Sequence, residues 1–238
     1  MNTPNTRFVD SHPHFTAPLK LVSEAAGILR ELFRGPALTV EHKSDGSPVT
    51  TADKTVDALF QRRLPELYAA PVVSEESPLP AGSAEGLSRF WLVDPLDGTK
   101  NFIRGEEEFS IVVALVIEGV PQLGFVAAPM KGVVFGAIRG LGVWRFEGDS
   151  CINLAPRKPL TPPLRVVTAR FPKPEFLKRV KEFCTTSLTP PAALLQVGSA
   201  YKSMLLLEDR ADLVLCFDGV SLWDLGGVEC VLHEAGCS

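Results

Sequence analysis

The sequence predicts an α/β protein of two lobes, and three observations carry that expectation. Apolar residues recur at helical spacing over 19–33 and 51–68, short apolar strands separated by turn residues fill 90–146, and strands alternate with helices from 164 onward. With 238 residues, 45% of them hydrophobic and 22% charged, the chain can bury a substantial core.

In the first helix Leu21, Val22, Ala25, Ile28, Leu29 and Leu32 share a face, and Gly35-Pro36 ends it. Residues 1–18 are polar, carry Pro4, Pro13 and Pro18, and read as a loose leader without the charged-then-apolar order of a signal peptide. Lys43 to Pro48 is turn-rich. Thr51-Ala52-Asp53 opens the second helix, with Val56, Leu59 and Phe60 on its buried side. Pro71 to Ser74 is a short strand ending at Glu75-Glu76, and Pro78 to Gly86 is a loop. Phe90 to Val93 is a strand that runs into Asp94-Pro95-Leu96-Asp97-Gly98-Thr99. Strands at 109–117, 122–128, 133–138 and 143–146 form an antiparallel meander. Pro156, Pro159, Pro162 and Pro163 mark a boundary between an α+β lobe, 19–155, and an α/β lobe, 156–238. In the second lobe, strands at 164–169, 193–197 and 212–217 alternate with helices at 174–183, 198–208 and 222–235.

Composition narrows the function. A net charge of −4 and a pI near 5.6 argue against a nucleic-acid polymer as partner. They leave a small anionic substrate open, because bound cations reverse the local sign of a site. Five cysteines at wide spacings, without a Cys-x-x-Cys pair, fit a reducing cytoplasm and small buried apolar side chains. No apolar run is long enough to span a membrane.

The acidic residues point to chemistry. Phosphate esters resist hydrolysis because the anion repels a nucleophile, and divalent cations relieve that repulsion while acidifying water. Magnesium takes oxygen ligands, so such a site needs several carboxylates converging from different segments, with little His or Cys. Asp94 and Asp97 flank Pro95-Leu96 directly after a strand, and Gly98 allows a tight turn. Thr99 is placed to cap a short helix whose N–H groups favour a phosphate. Glu75 and Glu76 close another strand, and Asp224 opens the last helix at its positive dipole end. Each alone is also what an ordinary turn, solvated loop or helix cap looks like, Asp53 included; the combination points to a metal site. The acids are too dispersed for a single calcium-binding loop.

These residues resemble the inositol monophosphatase superfamily, which includes 3′(2′),5′-bisphosphate nucleotidases and some histidinol-phosphatases. Four segments carry the resemblance: Lys43 to Asp53, Val73-Ser74-Glu75-Glu76, Trp91 to Thr99, and Trp223-Asp224 followed by Glu234-Ala235-Gly236. It implies an alternating α/β/α/β/α sandwich and a magnesium-dependent phosphomonoesterase using two or three ions. Glu75, Asp94, Asp97 and Asp224 would be metal ligands together with the Leu96 carbonyl, and Asp94 would bridge two ions. Thr99 with Asp53 would orient the attacking water, Glu75 would serve the catalytic step, and the Gly98 and Thr99 N–H groups would hold the phosphate. Glu76 is placed behind Glu75. Members often form homodimers. They also continue beyond the Glu-Ala-Gly of the last helix, whereas this chain stops at Ser238, so the C-terminus is either truncated or minimal, with an exposed sheet edge expected if strands are lost.

The substrate is less sharply marked. Ser47-Pro48-Val49-Thr50, Leu96 and Glu108-Phe109-Ser110-Ile111 are similar to the bisphosphate nucleotidases, as is Gly198-Ser199-Ala200-Tyr201-Lys202. The last segment would offer Gly198, Ser199 and Lys202 to a second phosphate, beside Asp224 on the substrate. Adenosine 3′,5′-bisphosphate, cleaved to AMP and phosphate, is therefore favoured. The absence of an arginine near Cys216, and Lys100 to Gly105, which looks like the histidinol-phosphatase branch, keep inositol phosphate and histidinol phosphate open. A silent ligand-binding homologue is the non-enzymatic alternative.

Overall fold

The computed structural model describes residues 12–77, 86–216 and 220–237. The expected loop at 78–86 lies almost wholly outside the described residues, as do most of the leader and the end of the strand at 212–217.

Helix α1 (Pro13–Leu32) and helix α2 (Thr51–Leu67) pack on one face of a seven-stranded sheet. Between them a small hairpin pairs β1 (Val40–His42) with β2 (Pro48–Thr50). The large sheet runs in sequence order: β3 (Val72–Ser74), β4 (Arg89–Asp97), β5 (Ser110–Ile117), β6 (Val120–Ala128), β7 (Val133–Ile138), β8 (Gly142–Glu147) and β9 (Ser150–Leu154). β3 and β4 are parallel; every later pair is antiparallel, as a meander requires. Alternation assigns the two faces. Trp91, Val93, Ile111, Val113 and Phe125 meet α1 and α2, while Val112, Val126, Phe135 and Ala137 face the other way.

That second face is covered by helix α6 (Leu222–Glu234) through Val228, Cys230 and Val231, and by the short helix α5 (Tyr201–Met204). Behind them lies a three-stranded parallel sheet in the order β11 (Ala193–Val197), β10 (Arg165–Ala169), β12 (Leu213–Leu215). Helix α4 (Pro174–Glu182) closes the stack, with Phe176 and Val180 on Val166. The five layers alternate α/β/α/β/α. Because α6 lies on the large sheet, the last helix of the chain delivers its first turn to the end of β4.

Beyond the strands β1, β2 and β9, which the sequence did not announce, three elements differ from the sequence expectation. Residues 13–18 are helical rather than loose: Pro13 sits in the first turn, where no N–H is needed, and Phe15 is 1% exposed, packed on Phe125, Trp144 and Phe146. The expected helix at 198–208 shrinks to α5. Ser199 takes a left-handed φ of +58°, and after Met204 the chain goes on as i to i+3 turns that bury Leu205 and Leu206. β4 is longer than expected and runs through the acidic segment itself.

All five cysteines are free; Cys184 and Cys230 are buried, whereas Cys216 is exposed. No helix among the described residues is long and apolar enough to cross a membrane.

Candidate metal centre and active site

Each acidic residue is placed by its own local device. The Glu75 N–H donates to the Val93 carbonyl at 3.1 Å, carrying the parallel β3–β4 ladder past Ser74 and setting Glu75 beside Asp94. The β4–β5 register breaks between Asp94 and Asp97, where Pro95 has no N–H for the ladder. The resulting bulge lets Asp94 Oδ1 accept the Leu96 N–H at 3.0 Å. Asp224 closes a capping box on α6, its Oδ2 accepting the Ser221 N–H at 2.7 Å. Asp53 does the same on α2, accepting the Thr50 N–H at 2.8 Å. The helix-capping and functional readings of these two acids are thus compatible.

Glu75, Asp94 and Asp224 each bring an oxygen within 4.8 Å of the others. Asp94 is 1% exposed, and its Oδ2 is buried without a hydrogen-bond partner. Asp97 stands beside this trio, its Oδ2 accepting from the Ser110 hydroxyl at 3.2 Å and from the Ala200 N–H. A buried, unpartnered carboxylate oxygen among further carboxylates is costly unless a cation or proton joins it. The donor set is all oxygen, which fits a hard divalent cation such as magnesium.

The electrostatics agree. Burial, reinforced by Asp97, Glu75 and Asp224, holds the Asp94 carboxyl well above its ordinary range. Burial and then Asp97 push Asp224 to about 6, against the opposing bond from Ser221. Burial raises Glu76 to about 7 although Lys43 pairs with it. A carboxyl whose pKa is raised by folding binds its proton more tightly in the native state. Its ionisation therefore costs stability as pH climbs from about 4, with the full cost reached above about 6 for Asp224 and about 7 for Glu76. The metal-free chain is expected to lose thermal stability between pH 5 and pH 8. Magnesium should restore about 5 °C at pH 8 and almost nothing at pH 5, read by thermal scanning. A melting temperature indifferent to magnesium at pH 8 would contradict the assignment.

Around the cluster, Gly98 takes φ +97°, and a Cβ there would lie 3.1 Å from the Glu108 carbonyl. It starts the five-residue helix α3 (Thr99–Ile103). The Thr99 hydroxyl lies 3.1 Å from both Asp53 Oδ1 and the Leu96 carbonyl, so the two halves of the expected water-orienting pair do meet. Lys202 Nζ donates to the Ser199 carbonyl at 3.1 Å. The Gly198 N–H, expected to face a phosphate, is instead taken by Glu108 Oε2 at 2.7 Å.

Two cavities adjoin here. One, of about 440 Å3, is lined by Glu75, Asp94, Gly98, Thr99, Ser199 and Trp223 among others. The second, of about 400 Å3, has apolar walls of Phe176, Leu215, Val220, Leu225 and Val228. Asp97, Lys100, Phe171, Lys202 and Asp224 line both.

Several contacts had no sequence signal of their own. Lys43 Nζ bridges Glu75 and Glu76 at 2.9 and 2.8 Å, giving Glu76 its place behind Glu75. Arg170 pairs two-pronged with Glu108, and the Arg104 guanidinium lies 4.2 Å over the Phe171 ring. The motif containing Lys43 was visible, but not the role of the lysine; Arg170 and Phe171 become relevant only once β10 is placed.

This fold, with carboxylates gathered from β3, β4 and α6, defines a layered acidic-site protein of a known kind. The sequence profile of the inositol monophosphatase family matches residues 10–238, and the chain belongs to that family. The 3′(2′),5′-bisphosphate nucleotidase CysQ of Escherichia coli K12 is 33% identical over 222 residues, covering 91% of this chain and 86% of the relative. The Haemophilus influenzae CysQ is 28% identical over 227 residues, covering 93% and 82%. The crystal structure of CysQ from Bacteroides thetaiotaomicron superposes with a TM-score of 0.77 at 25% identity, covering 92% of this chain and 85% of that one. A Thermotoga maritima IMPase shares the fold, with a TM-score of 0.75 at 23% identity and coverage of 92% and 82%.

Proposed function

We propose that this chain is a magnesium-dependent phosphomonoesterase whose substrate is a 3′(2′),5′-bisphosphate nucleotide, with AMP and phosphate as products from adenosine 3′,5′-bisphosphate. The observation that carries the reading is the pair of adjoining cavities. One is acidic and holds the carboxylate cluster; the other sets an apolar wall of Phe176, Leu215, Val220, Leu225 and Val228 beside Lys100, Lys173 and Lys202. A nucleoside that carries a second phosphate offers a flat apolar base and an anion to such a chamber. A polyol monophosphate offers neither a flat face for Val220, Leu225 and Val228 nor a second anion for the lysines. The nucleotidase names of the relatives point the same way.

In this reading Glu75, Asp94, Asp97 and Asp224, with the Leu96 carbonyl, hold two or three magnesium ions. Bound there, magnesium withdraws charge from the phosphoryl oxygens and acidifies water. The chain's own groups then order the reactants. Asp53, fixed by Thr50, accepts the Thr99 O–H, which turns the Thr99 lone pairs toward the cavity to accept a proton of the attacking water. Glu75 flanks the same position. The Gly98 and Thr99 N–H groups orient the phosphoryl group, and Asp224 helps to place the leaving group. Water adds to phosphorus, the P–O bond to the nucleoside breaks, and the leaving oxygen takes a proton. Lys202 and the Ser199 hydroxyl serve the second phosphate, whereas Gly198 contributes by lacking a side chain: a Cβ there would lie 2.8 Å from Asn101 Nδ2.

The test is phosphate release from 3′-phosphoadenosine 5′-phosphate, inositol 1-phosphate and histidinol phosphate, assayed side by side. The bisphosphate should be preferred by at least about tenfold in kcat/KM. Lys202→Met should raise its KM about tenfold, the equivalent of one charged contact, while leaving AMP-sized monophosphates nearly unaffected. Equal or better turnover of inositol or histidinol phosphate would reassign the substrate, and binding without turnover would make the chain a silent homologue.

A further inference from the structure

Arg170 and Gly198 leave the second sheet side by side, because β10 and β11 are parallel with Ala169 opposite Val197. A single carboxylate from the first lobe grips both. Glu108, on the link between α3 and β5, accepts from Arg170 through both of its oxygens, and its Oε2 also accepts the Gly198 N–H at 2.7 Å. The Arg170 carbonyl in turn accepts from Gln196 Nε2 at 3.2 Å, bracing the two strand ends. Just beyond Gly198 the chain makes its left-handed step at Ser199 and presents the Ala200 N–H to Asp97 Oδ2. The crossing is tight. A Cβ at Gly98 would lie 3.3 Å from Ser199 Cβ, and one at Gly198 would lie 2.9 Å from the Glu108 carbonyl.

We infer that Glu108 is a positioning residue for the metal centre: by fixing the end of β11 through Gly198, it sets the Ala200 N–H on Asp97 and so fixes the orientation of that carboxylate. The ion pair with Arg170 orients Glu108 itself, and the hydrogen bond to Gly198 transmits the position. This rests on the reading of Asp97 as a metal ligand, but it does not depend on which ester is hydrolysed.

The test is Mn2+ binding to the full chain, followed by electron paramagnetic resonance of the free ion, beside thermal scanning and phosphate release. Glu108→Ala should weaken Mn2+ binding about tenfold, the usual scale for losing a contact that orients a ligand, and at saturating metal should lower kcat more than it raises KM. Glu108→Gln keeps an acceptor for the Gly198 N–H and should stay within about threefold. In the double variant Glu108→Arg with Arg170→Glu the lobes regain an ion pair, but arginine cannot accept from Gly198. Thermal stability should recover there while Mn2+ affinity does not. Unchanged affinity in Glu108→Ala, or affinity restored by the double variant, would overturn the inference and reduce Glu108 to a link between lobes. If Glu108→Ala does not fold, Arg170→Lys gives up the two-pronged grip but keeps the charge; about threefold weaker binding supports the inference and unchanged affinity overturns it. Weakened Mn2+ binding in a chain that hydrolyses no ester would leave this inference standing and sink the proposed function instead.

Discussion

Asp94→Asn is expected to lower phosphate release by about three orders of magnitude while raising the melting temperature of the metal-free chain by about 3 °C. Both effects follow from one environment. Asp94 is 1% exposed and has an oxygen with no hydrogen-bond partner; its burial, reinforced by Asp97, Glu75 and Asp224, holds its carboxyl well above its ordinary range. Asparagine has the same shape and is neutral. Its carbonyl can still accept the Leu96 N–H, and its amide can donate to a neighbouring carboxylate. Repulsion in the metal-free protein therefore falls, and with it the charge that would bridge cations. Activity assays and thermal scans without metal check the two halves separately. A variant that loses both activity and stability would show that Asp94 serves the fold rather than a cation.

Gly227→Ala should lower stability sharply. A Cβ there would lie 2.7 Å from the Phe125 carbonyl oxygen, 2.8 Å from that of Val113 and 2.9 Å from Val112 Cγ1. The two carbonyls belong to neighbouring central strands of the large sheet and cannot yield. Helix α6 must instead lift off, at a cost of about 3 kcal/mol, which lowers the melting temperature by about 10 °C. Lifting α6 also carries Asp224 away from Asp94, so magnesium should stabilise the variant less than the unsubstituted chain. Urea denaturation and magnesium-dependent thermal shifts measure both. Gly226→Ala is the milder control, since its nearest contact is the end of the Leu92 side chain at 2.9 Å. A loss below about 1 kcal/mol at Gly227 would mean that α6 has room to move.

The parts of this molecule legible in the sequence were those written in short range. Asp94, Asp97 and Gly98 follow a strand, Glu75 ends another, and Asp53 and Asp224 each sit three residues after a Thr or Ser that begins a helix. Each device is local, so the roster of acids could be read before their convergence was visible. Convergence depends on α6 crossing the large sheet, and the close approach through Gly226 and Gly227 has no periodicity to announce it. Long-range contacts were not legible either: Glu108 stands in a visible segment, Glu108 to Ile111, but Arg170 lies 62 residues away in no pattern, and nothing local pairs the two. Two elements were obscured for local reasons. Pro13 and Pro18 hid the start of α1 and with it Phe15, although Pro13 suits a first helical turn. β9 is an edge strand, with Asn153 and Ile152 exposed, so its alternation is weak.

The carboxylate cluster at the end of β4 is proposed as a cation site at which a phosphate ester is hydrolysed. Its most direct test is phosphate release from 3′-phosphoadenosine 5′-phosphate by the metal-stripped chain, titrated with magnesium. No release is expected without metal, and saturable release as magnesium is added, lower by about three orders of magnitude in Asp94→Asn at every concentration. Release that is independent of magnesium, or equal in Asp94→Asn, would contradict it.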